Sequence, residues 1–243
     1  MKLFSHLQIG DHHVNHCEDY FLTAKFTEYH LVTAVMDGCS MGTDSYLPAT
    51  LTGKLLRKIC KEFYYRSFIE KSIPNTNTCL EQIFNQLFKE WTFLSKYLDL
   101  SREELLNTLL LAVVDLRDQN LELLCIGDGV VCINGQVTSF EQNNKPDYLG
   151  YHLKEKFEDW WNNQPQRITA KKVNDFSVST DGVFSFSAFD NKSYKPLISA
   201  PDFLLIDDFL SGNGNMLYRK LIILEEEYGI RPTDDLGIVR VIF

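Results

Sequence analysis

Two periodicities alternate along the chain. Residues 20–26 and 30–36 are rich in β-branched and aromatic side chains around a Thr27-Glu28 turn, which predicts a hairpin. After Asp37-Gly38 and a polar loop, Leu51, Leu55, Leu56, Ile59 and Phe63 recur at helical spacing over a basic opposite face, the pattern of a helix packed on a sheet. Leu80, Phe84, Leu87, Trp91, Leu94 and Leu98 form the stripe of a second helix, with Thr78-Cys79-Leu80-Glu81 as its capping box. Ser101-Arg102-Glu103-Glu104 is another capping box and opens a short element. Residues 108–116, 121–126 and 130–133 then read as strands on tight turns, and Asn134-Gly135 turns the chain again before Val137, predicting an antiparallel meander. Residues 175–180 read as a strand, 217–228 as a helix and 236–243 as a closing strand. Strands that pair with strands, and helices gathered in consecutive pairs, predict an α+β sandwich of two antiparallel sheets with helices outside.

Composition adds bounds to this picture. At 243 residues, with 44% hydrophobic and 23% charged side chains and no Gly/Ser/Pro-rich linker, the chain is expected to form one domain over residues 1–243. A formal charge of −9 disfavours nucleic acid as a partner, because phosphate-backbone affinity rests on Lys and Arg. The apolar stretch 105–114 is broken by Asn107 and Thr108 and falls short of the ~20 residues of a membrane span. The start, MKLFSHLQIGDHH, lacks the apolar core of an export signal, so a cytoplasmic protein without a membrane partner is expected. Cys17, Cys39, Cys60, Cys79, Cys125 and Cys132 form no C-x-x-C pair; they are expected to be reduced and mostly buried, with a structural zinc site as the alternative.

Acidic residues recur at one kind of place. Glu18-Asp19 precedes a predicted strand, Asp37 follows one, and Asp128, Asp181 and Asp234-Asp235 flank strands or turns. Three of these are Asp-Gly steps, at Asp37, Asp128 and Asp181, where Gly permits a positive φ or a close backbone approach. A single Asp-Gly is an ordinary turn. Repeated at strand ends, such carboxylates are held by a rigid sheet with their oxygens free, which suits hard cations such as Mg²⁺ or Mn²⁺.

In order along the chain, Asn15-His16-Cys17-Glu18-Asp19, Ala34-Val35-Met36-Asp37-Gly38, Ile126-Gly127-Asp128-Gly129, Val178-Ser179-Thr180-Asp181-Gly182-Val183 and Thr233-Asp234-Asp235-Leu236-Gly237 resemble the ordered motifs of the metal-dependent protein phosphatases, the type 2C serine/threonine phosphatases, in a divergent bacterial-type form. The resemblance implies a four-layer α-β-β-α sandwich with a binuclear Mn²⁺ or Mg²⁺ site at one end of the sheets. Carried over residue by residue, it implies that Asp37 bridges both cations, that Glu18 and the Gly38 carbonyl serve one, and that Asp181 and Asp234 serve the other. Asp128 resembles the ligand of a third ion. Asp19 is implied to act through water, and Asp235 to orient Asp234 or stay solvated. The implied activity is hydrolysis of phosphoserine or phosphothreonine on a protein substrate by metal-activated water.

Two positions depart from the family pattern. Cys39 stands where many members carry a His proposed as general acid, and Val14 stands where an Arg usually grips phosphate. His12, His13 and His16 crowd the same segment, and one of them could contact phosphate instead. These departures motivate an alternative: a phosphatase-fold regulatory module that binds a partner with weak turnover or none. A hydrolase of small phosphates is a third reading. Residues 148–167, with Trp160-Trp161 as packing anchors, are the expected counterpart of the family's substrate-shaping flap, and 184–214 reads as a helical and loop insert over the core.

Overall fold

The computed structural model describes residues 1–42, 44–70, 73–142, 146–190 and 194–243. The chain begins with β1 (Lys2–Gln8), β2 (Tyr20–Lys25), β3 (His30–Met36), α1 (Tyr46–Ser67) and α2 (Thr76–Tyr97). It continues through β4 (Leu109–Asp115), β5 (Leu121–Ile126), β6 (Gly129–Ile133), β7 (Gln136–Phe140), α3 (Leu149–His152), α4 (Phe157–Asn162), β8 (Arg167–Ala170) and β9 (Asp175–Ser179). It ends with β10 (Phe186–Ala188), α5 (Ala200–Leu205), α6 (Met216–Tyr228), β11 (Ile230–Pro232) and β12 (Leu236–Ile242).

One sheet runs β2-β3-β4-β5-β8 and the other β1-β12-β9-β6-β7, with β10-β11 as a small separate pair; every pairing is antiparallel. The central strands explain how the layers stack. β3 and β4 are buried along their whole length because alternate residues enter two different cores. Val32, Ala34, Met36, Leu109, Leu111 and Val113 face α1 and α2. Leu31, Val35, Leu110, Ala112 and Val114 face Val178, Val239 and Val241 of the other sheet. On that sheet's outer side Val130, Leu236 and Ile238 meet α5 and α6 through Leu204, Leu217, Leu221 and Leu224. The result is the expected α-β-β-α sandwich.

The predicted meander is corrected. β4 and β5 pair in one sheet, whereas β6 pairs with β7 and β9 in the other, so the chain changes sheets at Gly127-Asp128. Gly127, at φ +78°, allows this crossing, and the turn itself places Asp128 at the end of both sheets. The Asn134-Gly135 hairpin forms as expected, both residues holding positive φ (50° and 83°), the requirement of a type I′ turn.

The start of α2 is also corrected: Asn75, not Thr78, is the cap, its Oδ1 accepting from the Thr78 N–H at 2.8 Å. The Ser101/Glu104 box forms reciprocally, at 2.8 and 3.4 Å, over a 3₁₀ turn at Glu103–Leu105. Within 184–214, β10 and α5 form, and Leu204 and Leu205 are core residues; residues 191–193 lie outside the described residues.

A buried polar chain ties the helices to the site. Trp91 Nε1 donates to Thr52 Oγ1 (3.1 Å), Thr52 donates to Asn107 Oδ1 (3.0 Å), and Asn107 Nδ2 donates to the Thr108 carbonyl (2.7 Å). Each member has a partner, so the network fixes α1 and α2 against the start of β4 without leaving an unsatisfied group.

Candidate metal centre

β3 ends at Met36, and the next residue is Asp37. Its N–H donates to Thr108 Oγ1 (3.1 Å) and its carbonyl accepts from Thr108 N–H (2.8 Å), so the strand end is pinned to β4. Gly38 N–H donates to the Glu18 carbonyl at 3.1 Å. A Cβ on Gly38 would lie 2.0 Å from the Ser45 carbonyl oxygen, and on Gly182 it would lie 1.8 Å from that of Asp235. At these two Asp-Gly steps glycine therefore serves a close approach between loops; neither has a positive φ.

The β2–β3 register pairs Tyr20 with Met36, and so sets Asp19 beside Asp37. Asp19 points inward, 3% exposed, and its Oδ2 accepts from Thr180 Oγ1 at 2.6 Å. Glu18, one residue earlier, turns the other way: its carboxylate accepts from the hydroxyls of Ser40 (2.9 Å) and Ser45. The second sheet supplies Asp181, just past β9, and Asp234-Asp235, just before β12; these strands pair through Ser179 and Ile238. Asp128 stands at the crossing between sheets, its Oδ1 accepting from Gln142 N–H at 2.8 Å.

Electrostatics tie these groups together. Burial pushes the Asp37 carboxyl well above the usual carboxylate range, and the neighbouring charges of Asp19, Asp181 and Asp234 push it further. Asp19 is raised by burial too, and the charges of Asp235 and Asp181 raise it further while the Thr180 hydroxyl opposes them. Asp181 is raised by burial, then by Asp234 and Asp128. Asp128 is raised mainly by burial. The charges acting most strongly on Asp37 are thus all acidic, the situation in which carboxylates hold protons or gather a cation.

Asp235 plays a different part. Only 2% exposed, it accepts from Gly10 N–H (2.8 Å) and Glu18 N–H through its two oxygens, and His13 Nδ1 lies 2.9 Å from Oδ2. His13 is consequently engaged by carboxylate, with its own pKa raised: burial lowers it, and the bond and charge of Asp235 outweigh that. His16 packs against Tyr46 with ring centroids 4.5 Å apart and the planes tilted by 39°, and His12 is exposed. Val14 is 87% exposed. Cys39 is buried against Leu106 and Tyr148. Thr108, Thr180, Ser40, Ser45 and Tyr148 escaped sequence reasoning, because only the loop contacts bring them to the carboxylates.

Oxygen-rich, mutually repelling carboxylates at the ends of two rigid sheets are the donor chemistry that hard divalent cations need, and the residues fit such ions in that respect. Among the described residues, no three His, Cys, Asp or Glu side chains are already gathered around an ion-sized centre.

The chain belongs to the protein phosphatase 2C family, which it matches over residues 8–204. Its fold is similar to that of a bacterial serine phosphatase, with a TM-score of 0.63 at 11% identity over 99% of this chain and 96% of that one. It is also similar to the serine/threonine phosphatase Stp1 from Staphylococcus aureus, with a TM-score of 0.60 at 9% identity over 99% and 94% of the two chains. RsbX in complex with magnesium is similar at a TM-score of 0.50 and 12% identity over 98% and 92%. No curated protein matches the chain. Among the described residues no helix is long and apolar enough to cross a membrane, and all six cysteines are free, five of them buried.

Proposed function

We propose that this chain is a Mg²⁺- or Mn²⁺-dependent phosphatase that removes phosphate from phosphoserine or phosphothreonine in protein substrates. The observation that carries this reading is the set of carboxylates Asp19, Asp37 and Asp181, the first buried, the second half-buried and the third exposed, acting on one another with Asp234 from the ends of both sheets. Asp37, Glu18 and the Gly38 carbonyl would hold one cation, Asp37, Asp181 and Asp234 the other, and Asp128 a third. Two such ions supply Lewis acidity toward a phosphoryl oxygen and an attacking water.

The chain's own residues do the rest. Thr108 holds both backbone groups of Asp37, so its carboxylate projects from a fixed strand end. Thr180 holds the Asp19 carboxylate, and Gly237 N–H in turn donates to Thr180 Oγ1 at 2.9 Å. Ser40 and Ser45 hold the Glu18 carboxylate near the Gly38 loop. The six free cysteines support a cytoplasmic location.

The test is turnover of an aryl phosphate and of a phosphothreonine peptide with added Mn²⁺ or Mg²⁺. Wild type should turn over only with the cation, and Asp37→Asn and Asp181→Asn should lose at least about 100-fold, as expected where electrostatic stabilisation of the reacting phosphate is removed. Variants as active as wild type would end this reading. The exposed Val14, in place of a phosphate-gripping Arg, favours the second reading, a partner-binding module; tight cation binding by calorimetry without turnover would select it.

A further inference from the structure

Two cationic side chains lie fully buried on the outer side of the β1-β12-β9-β6-β7 sheet, Lys220 on α6 and Arg240 on β12. A buried cation needs both its charge and its donors matched, and here both are. Lys220 Nζ donates to the carbonyls of Phe203 (2.6 Å) and Asp207 and to Asp207 Oδ1 (3.0 Å), which uses every proton of the ammonium. Arg240 forks onto Asp175, with Nε on Oδ1 at 3.1 Å and a terminal nitrogen on Oδ2 at 2.5 Å, and also donates to the Ile206 (2.6 Å) and Asp207 (2.5 Å) carbonyls. Ser177 Oγ donates to the Leu205 carbonyl at 2.9 Å. The carbonyls that the end of α5 leaves without helical partners are thereby tied down. Asp175 and Ser177 belong to β9, the strand that runs on toward Asp181.

α5 in turn supports the chain that bears two of the carboxylates. It packs on the 3₁₀ turn Asp181–Phe184, whose Val183 is fully buried in one core with Ala200 and Leu204. Just past that turn the Ser185 carbonyl accepts from Thr233 N–H (2.6 Å) and Thr233 Oγ1 (3.1 Å), and β10 then pairs with β11. Thr233 directly precedes Asp234. The turn of Asp181 and the approach to Asp234 therefore form one unit resting on α5. The Glu18 carboxylate and Gly38 are held elsewhere, by the Ser40 and Ser45 hydroxyls and by the bond from Gly38 N–H to the Glu18 carbonyl.

We propose that Lys220 and Arg240 are positioning residues for one cation of the pair: by locking the end of α5 to β9 they fix the floor beneath Asp181 and Asp234, and they leave the cation at Glu18 and Gly38 alone. This rests on the metal-dependent phosphatase reading above. Neither side chain touches an ion or a substrate. A merely stabilising role would lower the melting temperature without favouring one ion over the other, so the selectivity separates the two.

The experiment is a calorimetric Mn²⁺ titration of the full chain as wild type, Lys220→Met, Ser177→Ala, Asp181→Asn and the Lys220→Met/Asp181→Asn double variant. Leu87→Ala, which hollows the core beneath α1 and α2, is the control for lost stability. Wild type should bind two ions. Lys220→Met should weaken one of them about 10-fold, as loss of a residue that orients ligands does, and leave the other within about twofold. Ser177→Ala, which removes one neutral hydrogen bond, should weaken the same ion about fivefold. Leu87→Ala should keep both affinities. In the double variant Lys220→Met should take away nothing that Asp181→Asn has not already removed. Amide hydrogen exchange without metal should quicken about 10-fold over residues 181–186 in Lys220→Met and stay unchanged in α1. If Lys220→Met does not fold, Ser177→Ala decides the same comparison. Equal weakening of both ions, or wild-type affinities in a folded variant, would overturn the proposal. A wild-type chain that binds no Mn²⁺ would sink the phosphatase reading instead, and exchange over residues 181–186 then decides whether the clamp holds this turn.

Discussion

Both oxygens of Asp235 are committed to backbone, one to Gly10 N–H and the other to Glu18 N–H, with His13 at its side. The carboxylate therefore carries the loop that delivers Glu18 and Asp19 to the site. Asp235→Asn keeps the shape but replaces one acceptor with a donor, so one of the two amides is left facing an N–H group. The expected cost is about 1–3 kcal/mol in stability, and Mn²⁺ affinity should fall about 10- to 100-fold, as for other residues that orient ligands. Thermal melts and calorimetric titration check both, and a variant indistinguishable from wild type would remove the clamp. The sequence marks the acidic positions because each lies in a compact local signature, but it leaves the role of Asp235 open, since its partners are 217 and 225 residues away. The inward turn of Asp19 was equally hidden. It follows from the register of β2 on β3, which no motif states.

At the level of elements, strongly periodic segments are legible and their ends are not. Residues 75–78 read Asn-Thr-Asn-Thr, four consecutive residues of types that cap helices, and the capping-box spacing to Glu81 selects Thr78. The fold instead buries Thr76 and Cys79, which requires the helix to start earlier with Asn75 outside it. Asn75→Ala should therefore lower stability by about 0.5–2 kcal/mol, whereas Thr78→Ala should change it by less than about 0.5 kcal/mol, as surface substitutions away from a cap do. Urea midpoints of the two variants decide between the caps, and the reverse order would restore Thr78. β1 left little trace in the sequence because it is an edge strand with Phe4 as its single fully buried residue. The change of sheet after β5 was unreadable for another reason: a tight Gly-Asp turn looks alike whether the next strand pairs with the last one or crosses to the opposite layer.

Across the whole molecule, β3 carries a titratable group at each end, the buried His30 at one and, just past its last residue, the half-buried Asp37 at the other. Thr27 Oγ1 lies 2.8 Å from His30 Nδ1 and accepts from Tyr29 and His30 N–H, so its own proton goes to the imidazole, which is held neutral. Burial lowers the His30 pKa; Asp115 and Asp118 oppose this and Arg117 adds to it. In the unfolded chain a histidine titrates near ~6.5, so below that pH the unfolded state binds the extra proton. The stability that His30 contributes is complete above that value and is lost as pH falls toward its lower folded pKa. Urea midpoints at pH 7 and pH 5 should consequently converge in His30→Gln relative to wild type; an equal acid loss in both would exclude the imidazole. At the other end of the strand the penalty is crowding among carboxylates around the half-buried Asp37, and a bound cation would relieve it. Mn²⁺ at 100 times its Kd should stabilise the fold by about 2.7 kcal/mol, raising Tm by roughly 5–10 °C for a chain of this size. Asp37→Asn puts a neutral group of the same shape among those carboxylates, so without Mn²⁺ it should melt above wild type, and with Mn²⁺ it should lose most of the rise. Melts in chelator and in Mn²⁺ read both quantities without any assay of activity, and an undiminished Mn²⁺ response in Asp37→Asn would detach the cation from this strand end.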